Sequence, residues 1–163
     1  MSRTPYQDTQ VSAPQSKADI ERIFTRYNVE QFAIIQHGPS EFEISFFYRT
    51  LPVRLPFSAH GLYGALLKEQ PWSSRRTCTR QDYEAKLMVQ AGKAVWRHAA
   101  HYLKATFEAV HYGILSFEQA FLHGFTTPSG RTLGQVLIPQ LRDVSSGLLA
   151  LPEAPIEGDY SGQ

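Results

Sequence analysis

Four basic residues recur along one stretch of the sequence at a spacing that brings them onto one side of an α-helix. At about 100° per residue, Lys93, Arg97 and Lys104 fall within about 20° of the line through Lys86. Such a row of cations can neutralise the phosphates of a nucleic acid backbone. Alternatively, it is the strip that an otherwise buried helix exposes to water. We call these four residues the basic ridge.

A second group of basic residues, mixed with aromatic ones, precedes the ridge. Single-stranded nucleic acid is held by such a mixture, because cations neutralise phosphates while aromatic rings stack on bases without reading the sequence. The predicted nucleic-acid-binding site therefore adds Trp72, Arg75 and Arg76 to the ridge. The alternative is that the aromatic residues of this segment anchor it to the core.

Residue types that serve catalysis or metal binding are scattered. The six His residues form no His-Glu-x-x-His pattern, and the sequence has no phosphate-binding glycine loop, nucleophile elbow or paired helix carboxylates. The single cysteine, Cys78, excludes an internal disulfide, although nearby arginines can favour its thiolate. The expectation is a non-enzymatic protein without metal or cofactor. A catalytic alternative would use Glu108, His111 and Glu118.

Charge is divided unevenly along the chain. Residues 1–142 hold all 16 Lys and Arg but only 11 of the 15 acidic residues, giving +5, whereas the last 21 residues carry −4. The acidic end is either a solvated tail or a shield that a polyanion displaces from a basic surface. No apolar run approaches the roughly 20 residues that cross a bilayer, and residues 1–15 lack the apolar core of a signal peptide. The expected location is the cytoplasm, without membrane contact.

Apolar periodicity predicts the helices that position these residues. Ser16, with Asp19 three residues on, predicts the capped start of the first helix. A long stretch without proline predicts one central helix, ended by Gly113. The predicted helices cover residues 16–28, 79–112, 116–122 and 132–141.

Alternating apolar and polar residues over 42–46 predict a half-buried strand, which leaves Glu41 and Glu43 on a solvated outer face. Residues 32–35 supply the strand before it. Residues 53–55 form a third strand, placed at an edge because the prolines around it cannot donate to a ladder. The predicted class is α+β, in the order helix, three-stranded antiparallel sheet, long central helix and two short C-terminal helices.

The remaining segments are rich in turn-forming residues. Residues 1–15 are predicted to be a disordered arm, 16–142 a single domain and 143–163 an acidic flexible tail. Residues 58–78 are predicted to be a long connection, either functional or mobile. Its apolar residues are the contacts expected for a protein partner, namely Leu62, Tyr63, Leu66 and Leu67.

The C-terminal half carries a resemblance to a known family. The stretches KATFEAVHYGILSFEQAFL, over 104–122, and TPSGRTLGQVLIPQL, over 127–141, resemble a family of small uncharacterised proteins encoded by bacteriophages and prophages. The resemblance covers residues 16–142 and implies a phage context. It carries over no catalytic residue.

A phage context implies two uses for a basic, aromatic surface. The first is a nucleic-acid-binding accessory protein for replication, recombination or single-strand binding. The alternative is an anti-defence protein that inhibits a host defence protein or sequesters a nucleotide signal. The succession of strands and long helix is similar in outline to single-strand annealing proteins and, with the leading helix, to double-stranded RNA-binding domains. Trp96 and the other aromatic residues of the long helix exceed what three strands easily cover, which suggests a homodimer.

Overall fold

The predicted order of elements is confirmed, with one additional helix. A computed structural model of the chain describes residues 9–38 and 40–144. In chain order, its elements are α1 (Ala13–Arg26), β1 (Phe32–Gln36), β2 (Glu41–Tyr48), β3 (Leu51–Ser58), α2 (His60–Glu69), α3 (Arg80–His111), α4 (Phe117–Phe121), a 3₁₀ turn (Leu122–Gly124) and α5 (Leu133–Val144).

The three strands form one antiparallel sheet in the order β1-β2-β3. Its central strand buries Phe42, Ile44 and Phe46 on one face, as the alternation predicts. The strand β3 lies at an edge, as predicted from its prolines. Thr126 N–H donates to the carbonyl of Pro52 at 2.9 Å, so the segment after the 3₁₀ turn covers part of this edge.

The central helix α3 packs large aromatic side chains against the sheet. Its start is capped by Thr79, whose side chain accepts from the backbone N–H of Asp82. Trp96 is buried and stacks on Phe42, with 3.6 Å between ring centroids. The chain itself therefore covers Trp96, and this side chain gives no support to the predicted homodimer.

The prediction of a long connection over 58–78 was wrong, because ten of its residues form α2. Leu66 is buried, while Leu62, Tyr63 and Leu67 pack partly buried against the core. These side chains were expected to contact a protein partner. In the structure they pack α2 against the core, and their contact with a partner stays a prediction.

The start of α1 also differs from the prediction. The helix begins at Ala13, and Ser12 is its N-cap, accepting from the backbone N–H of Gln15. Pro14 suits this first turn, because a helix leaves its first N–H groups without internal partners. Ser16, predicted to cap the helix, is instead a buried residue of its second turn.

Glu43 was expected in water but is only 8% exposed. The guanidinium of Arg54 donates to both of its carboxylate oxygens, at 3.0 and 2.7 Å, and to the carbonyl of Gly130 at 2.7 Å. The hydroxyl of Ser45 also donates to the carboxylate. These bonds, led by those from Arg54, lower the pKa of Glu43 against the opposing effect of burial. The pair ties β2 and β3 to the turn at 127–130.

Replacing Glu43 with Gln should lower the free energy of unfolding by about 1–3 kcal/mol, because it removes a bidentate bond between charged groups. The folded pKa lies below the ordinary value of 4.5, so this stability is present above pH 4.5 and is lost as pH falls through the folded pKa. Urea unfolding should show a large difference between wild type and variant near neutral pH and a smaller one at a pH below the folded pKa.

The matched control for this variant is Glu41→Gln, on the same strand and the same face. Glu41 is exposed, and its carboxylate lies 3.4 Å from the imidazole of His60. Its replacement should change the free energy of unfolding by less than about 0.5 kcal/mol. An equal loss for Glu43→Gln at both pH values would contradict the linkage to its carboxylate.

None of the helices within residues 9–38 and 40–144 combines the length and the apolar run that a bilayer crossing requires.

Candidate nucleic-acid interface

The helices α1 and α3 lie side by side and run in the same direction. Near the middle of α3, Arg97 Nη1 donates to Asp19 Oδ2 at 2.9 Å. Further along both helices, Tyr27 stacks on Phe107 with 5.3 Å between centroids, and its ring also meets the edge of His111. Residues later in α1 contact residues later in α3, so the two helices are parallel. The polar side of α1 therefore lies next to the basic ridge.

A groove of about 290 Å³ opens between these two helices. Helix α1 contributes Arg22 and Arg26 to its walls, and α3 contributes Arg97 and Lys104. Asp19 is the carboxylate among the lining residues. Four permanent cations therefore line the groove with one anion, and the excess positive charge creates a positive potential there. We call this space the α1–α3 groove.

Asp19 holds two of these cations in place. Asp19 Oδ1 forms an ion pair with Arg22 at 3.1 Å and accepts from the side-chain amide of Gln15, while Oδ2 accepts from Arg97. A carboxylate that bridges two guanidinium groups occupies a position that a phosphate oxygen pair can also occupy. Asp19 therefore both positions the arginines and competes with an incoming anion.

Arg26 is placed differently from its neighbours. Its guanidinium lies 5.6 Å from the ring centroid of Tyr27. In the described part of the chain it makes no ion pair with a carboxylate, whereas Lys104 lies 3.9 Å from Glu108. A cation over an aromatic ring keeps most of its charge available to an anion. Arg26 is thus an exposed groove cation whose charge is not paired with a carboxylate of the described residues.

His101 adds a titratable group to the same groove. Burial lowers its pKa below the usual 6.5, and the charges of Arg97 and Lys104 lower it further, with Asp19 acting in the opposite sense. The imidazole is thus mainly neutral near neutral pH. A bound anion would offset the neighbouring cations and favour its protonation.

The structure divides the basic ridge into two parts. Arg97 and Lys104 line the α1–α3 groove, whereas Lys86 and Lys93 line a shallow cavity nearer the start of α3. The side chain of Arg97 is less exposed than the alternative of a solvated strip implies, at 26%, because it pairs with Asp19 of α1. From Lys86 to Lys104 the ridge extends roughly 27 Å along the helix.

The predicted loop residues lie elsewhere. Trp72 is partly buried against the core, and its indole N–H donates to the carbonyl of Cys78, so it anchors the loop. Arg76 lies over the ring of Tyr83, at 4.2 Å, and Arg75 is exposed. These residues precede α3, whose axis rises roughly 27 Å between its cap and Arg97. The structure therefore does not bring Trp72, Arg75 and Arg76 into the groove.

Sequence reasoning missed Arg22 and Arg26. The available signal was their spacing of four residues, which places them on one side of the predicted first helix. What the spacing did not reveal is that this side meets α3. That arrangement depends on Ile20 and Phe24, which are fully buried and fix the rotation of α1 on the core.

Two of the three residues of the catalytic alternative have partners of other kinds, and the third, Glu118, lies in the first turn of α4. Glu108 lies near Lys104, and His111 packs against the rings of Tyr27 and Tyr112. Within the part of the chain that the structure describes, no group of three or more His, Cys, Asp or Glu side chains is arranged to hold a metal ion.

The fold is thus a mixed α+β arrangement in which a leading helix and a central helix enclose a cationic groove. No known protein family, curated protein or solved structure matches the chain. The resemblance to phage-encoded proteins stays a prediction.

Proposed function

We propose that this chain is a non-enzymatic nucleic-acid-binding accessory protein of phage type, acting in replication, recombination or single-strand binding in the host cytoplasm. The observation that carries the proposal is the α1–α3 groove, where Arg22, Arg26, Arg97 and Lys104 gather around the single carboxylate of Asp19. Like charges held together on folding repel one another, so the arrangement costs stability in the absence of an anion. A phosphate backbone relieves that repulsion.

Shape favours a single strand over a duplex. The groove is a concave space between two adjacent helices, of about 290 Å³, which admits a flexible backbone more readily than a rigid double helix. Lys86 and Lys93 extend the cationic surface beyond the groove along α3. The ridge, roughly 27 Å long, is sufficient for several successive phosphates.

A salt series with a labelled oligothymidylate tests this proposal by fluorescence anisotropy. If the four groove cations, together with Lys86 and Lys93 of the ridge, all contact phosphates, the logarithm of the association constant should fall linearly with the logarithm of salt, with a slope of about −4. The variant Lys93→Gln should make the slope shallower by about 0.7. Lys68→Gln, exposed on α2, is the control and should leave the slope unchanged.

Duplex DNA and RNA of equal length provide the comparison of ligand classes. Weaker binding of the duplexes is expected. Absence of binding to every nucleic acid at low salt would overturn the proposal.

A second candidate is a phage anti-defence protein that inhibits a host protein. The observation in its favour is the apolar segment after α3, where Tyr112 and Ile114 are 71% and 72% exposed and Leu115 is also exposed. A stoichiometric host partner that survives nuclease treatment and is lost in Ile114→Asp would support it. If the protein instead sequesters a small nucleotide signal, Ile114→Asp should retain the binding of that nucleotide.

A further inference from the structure

A second cavity, of about 370 Å³, adjoins the α1–α3 groove. Tyr27 lines both spaces. The rings of Tyr48 and His111 also line the second cavity, and Asn28 and Arg49 supply its polar groups. We call it the aromatic cavity. The side chain of Tyr27 thus belongs to the walls of both the cationic groove and the aromatic cavity.

The tyrosines of the aromatic cavity are held by buried rings. Tyr27 stacks on Phe107 with an interplanar angle of 13°, and Tyr48 stacks on Phe117 with 3.5 Å between centroids and 11° between planes. Both phenylalanines are buried. Rings fixed in advance lose little conformational freedom when a ligand stacks on them. Aromatic surfaces of this kind accept any nucleobase, since every base has a π face.

Two strained positions coincide at this cavity. Within residues 9–38 and 40–144, Asn28 and Arg49 are the non-glycine residues with positive φ, at 56° and 54°. Asn28 follows the end of α1, where asparagine is common. Arg49 lies in the two-residue turn between β2 and β3, where glycine or asparagine is favoured and arginine is conformationally unfavourable. Its guanidinium lies 5.3 Å from the ring centroid of Tyr48.

We propose that the aromatic cavity binds the base of a nucleotide whose phosphate lies in the α1–α3 groove. The inference rests on the proposed function and specifies the ligand of that site. The exposed guanidinium groups of Arg26 and Arg49, which lie over the rings of Tyr27 and Tyr48, provide planar surfaces on which a base can stack. The Asn28 amide offers a donor and an acceptor to a base edge, and Arg49 offers donors. Base and phosphate are adjacent within one nucleotide, as the two spaces are adjacent across Tyr27.

The variants Arg49→Gly and Asn28→Gly remove these polar groups without disturbing the backbone, because glycine adopts positive φ readily. Arg49→Gly should weaken the binding of oligothymidylate about 10-fold and at the same time raise the thermal midpoint of unfolding by a few degrees. If Arg49 had no role in binding, Arg49→Gly would raise the thermal midpoint without weakening the binding of oligothymidylate. Asn28→Gly should give a loss of about 5-fold with little change in the midpoint.

An abasic oligodeoxynucleotide of the same length separates this inference from the proposed function. Wild type should prefer oligothymidylate to the abasic strand by about 10-fold or more, and Arg49→Gly should reduce that preference. Equal binding of both strands by wild type would overturn the base site and leave the groove as a phosphate site. Binding of neither strand would overturn both proposals.

Thymidine 5′-monophosphate distinguishes a strand from a free nucleotide as the source of the base. If the cavity binds free nucleotides as well, thymidine 5′-monophosphate should displace the strand at concentrations near the dissociation constant measured for the nucleotide alone. Arg49→Gly should then weaken binding of the nucleotide as much as binding of the strand. If the free nucleotide does not compete, but the protein still prefers the base-containing strand to the abasic one, the cavity binds bases only as part of a strand.

Discussion

Replacing Arg22 and Arg26 together with glutamate should weaken the binding of single-stranded DNA by at least about 100-fold, which corresponds to about 2.8 kcal/mol. The double variant removes both cations that α1 contributes to the groove and puts two carboxylates in their place. Asp19 is already present, so a phosphate would meet three carboxylates. Like charges set face to face cost several kcal/mol in binding. Fluorescence anisotropy at low salt measures the change.

Two other variants make this result specific to the groove. Lys17→Glu with Lys68→Glu changes the net charge by the same amount at exposed positions on α1 and α2, and affinity should fall less than about 5-fold. Asp19→Asn should act in the opposite direction and tighten binding about 5-fold, because the phosphate no longer competes with a carboxylate. Equal losses in the two double variants would mean that only net charge matters.

The long helix and the sheet could be predicted because their sequences carry strong local signals. The stretch that forms α3 contains no proline and ends before Gly113, which has a φ of 69°. The alternation in β2 fixes which residues face the core. The helix predicted from residue 116 also has a clear local signal, because Ser116 and Gln119 are spaced for a capping box, and that capping box is formed in the structure.

The helix α2 was missed because its sequence argues against a helix. Gly61 and Gly64 both lie within it, and glycine disfavours a helix interior by about 1 kcal/mol relative to alanine. No side chain caps its start. Its stability therefore comes from Leu66 and its neighbours packing on α3, a tertiary effect that local propensity does not include.

The burial of Glu43 was missed for a related reason. Strand alternation shows that its side chain lies on the opposite face from Phe42, but it does not show what covers that face. The cover comes from a distant segment, the turn at 127–130, whose Gly130 carbonyl accepts from Arg54. A contact between residues so far apart in sequence has no local signal.

The candidate site was predicted only in part because it belongs to two helices. Periodicity within α3 correctly placed Arg97 and Lys104 on one side. The arginines of α1 could join them only through the packing of one helix on the other. The same packing covered part of the ridge, which changed a predicted exposed strip into one wall of a groove. The site therefore depends on what holds α1 against α3.

Phe24 is the residue that holds α1 most directly, and replacing it with alanine should lower the free energy of unfolding by about 3–5 kcal/mol. Its ring is fully buried and lies 5.2 Å from that of Phe46 and 5.9 Å from that of Phe107. It thus joins α1 to both the sheet and α3. Such a loss is a large fraction of the roughly 5–15 kcal/mol that stabilises a typical domain. Urea unfolding measures it.

Phe32→Ala is the matched control, since the Phe32 ring packs against that of Phe24, with 4.8 Å between centroids, but is 37% exposed at the edge of the sheet. Phe32→Ala should lower the free energy of unfolding by about 1–2 kcal/mol, because part of the ring is already exposed to water. If the groove depends on α1, Phe24→Ala should also weaken nucleic acid binding under conditions where the variant remains folded, whereas Phe32→Ala should not. Unchanged binding in a folded Phe24→Ala protein would mean that the α3 cations alone hold the strand.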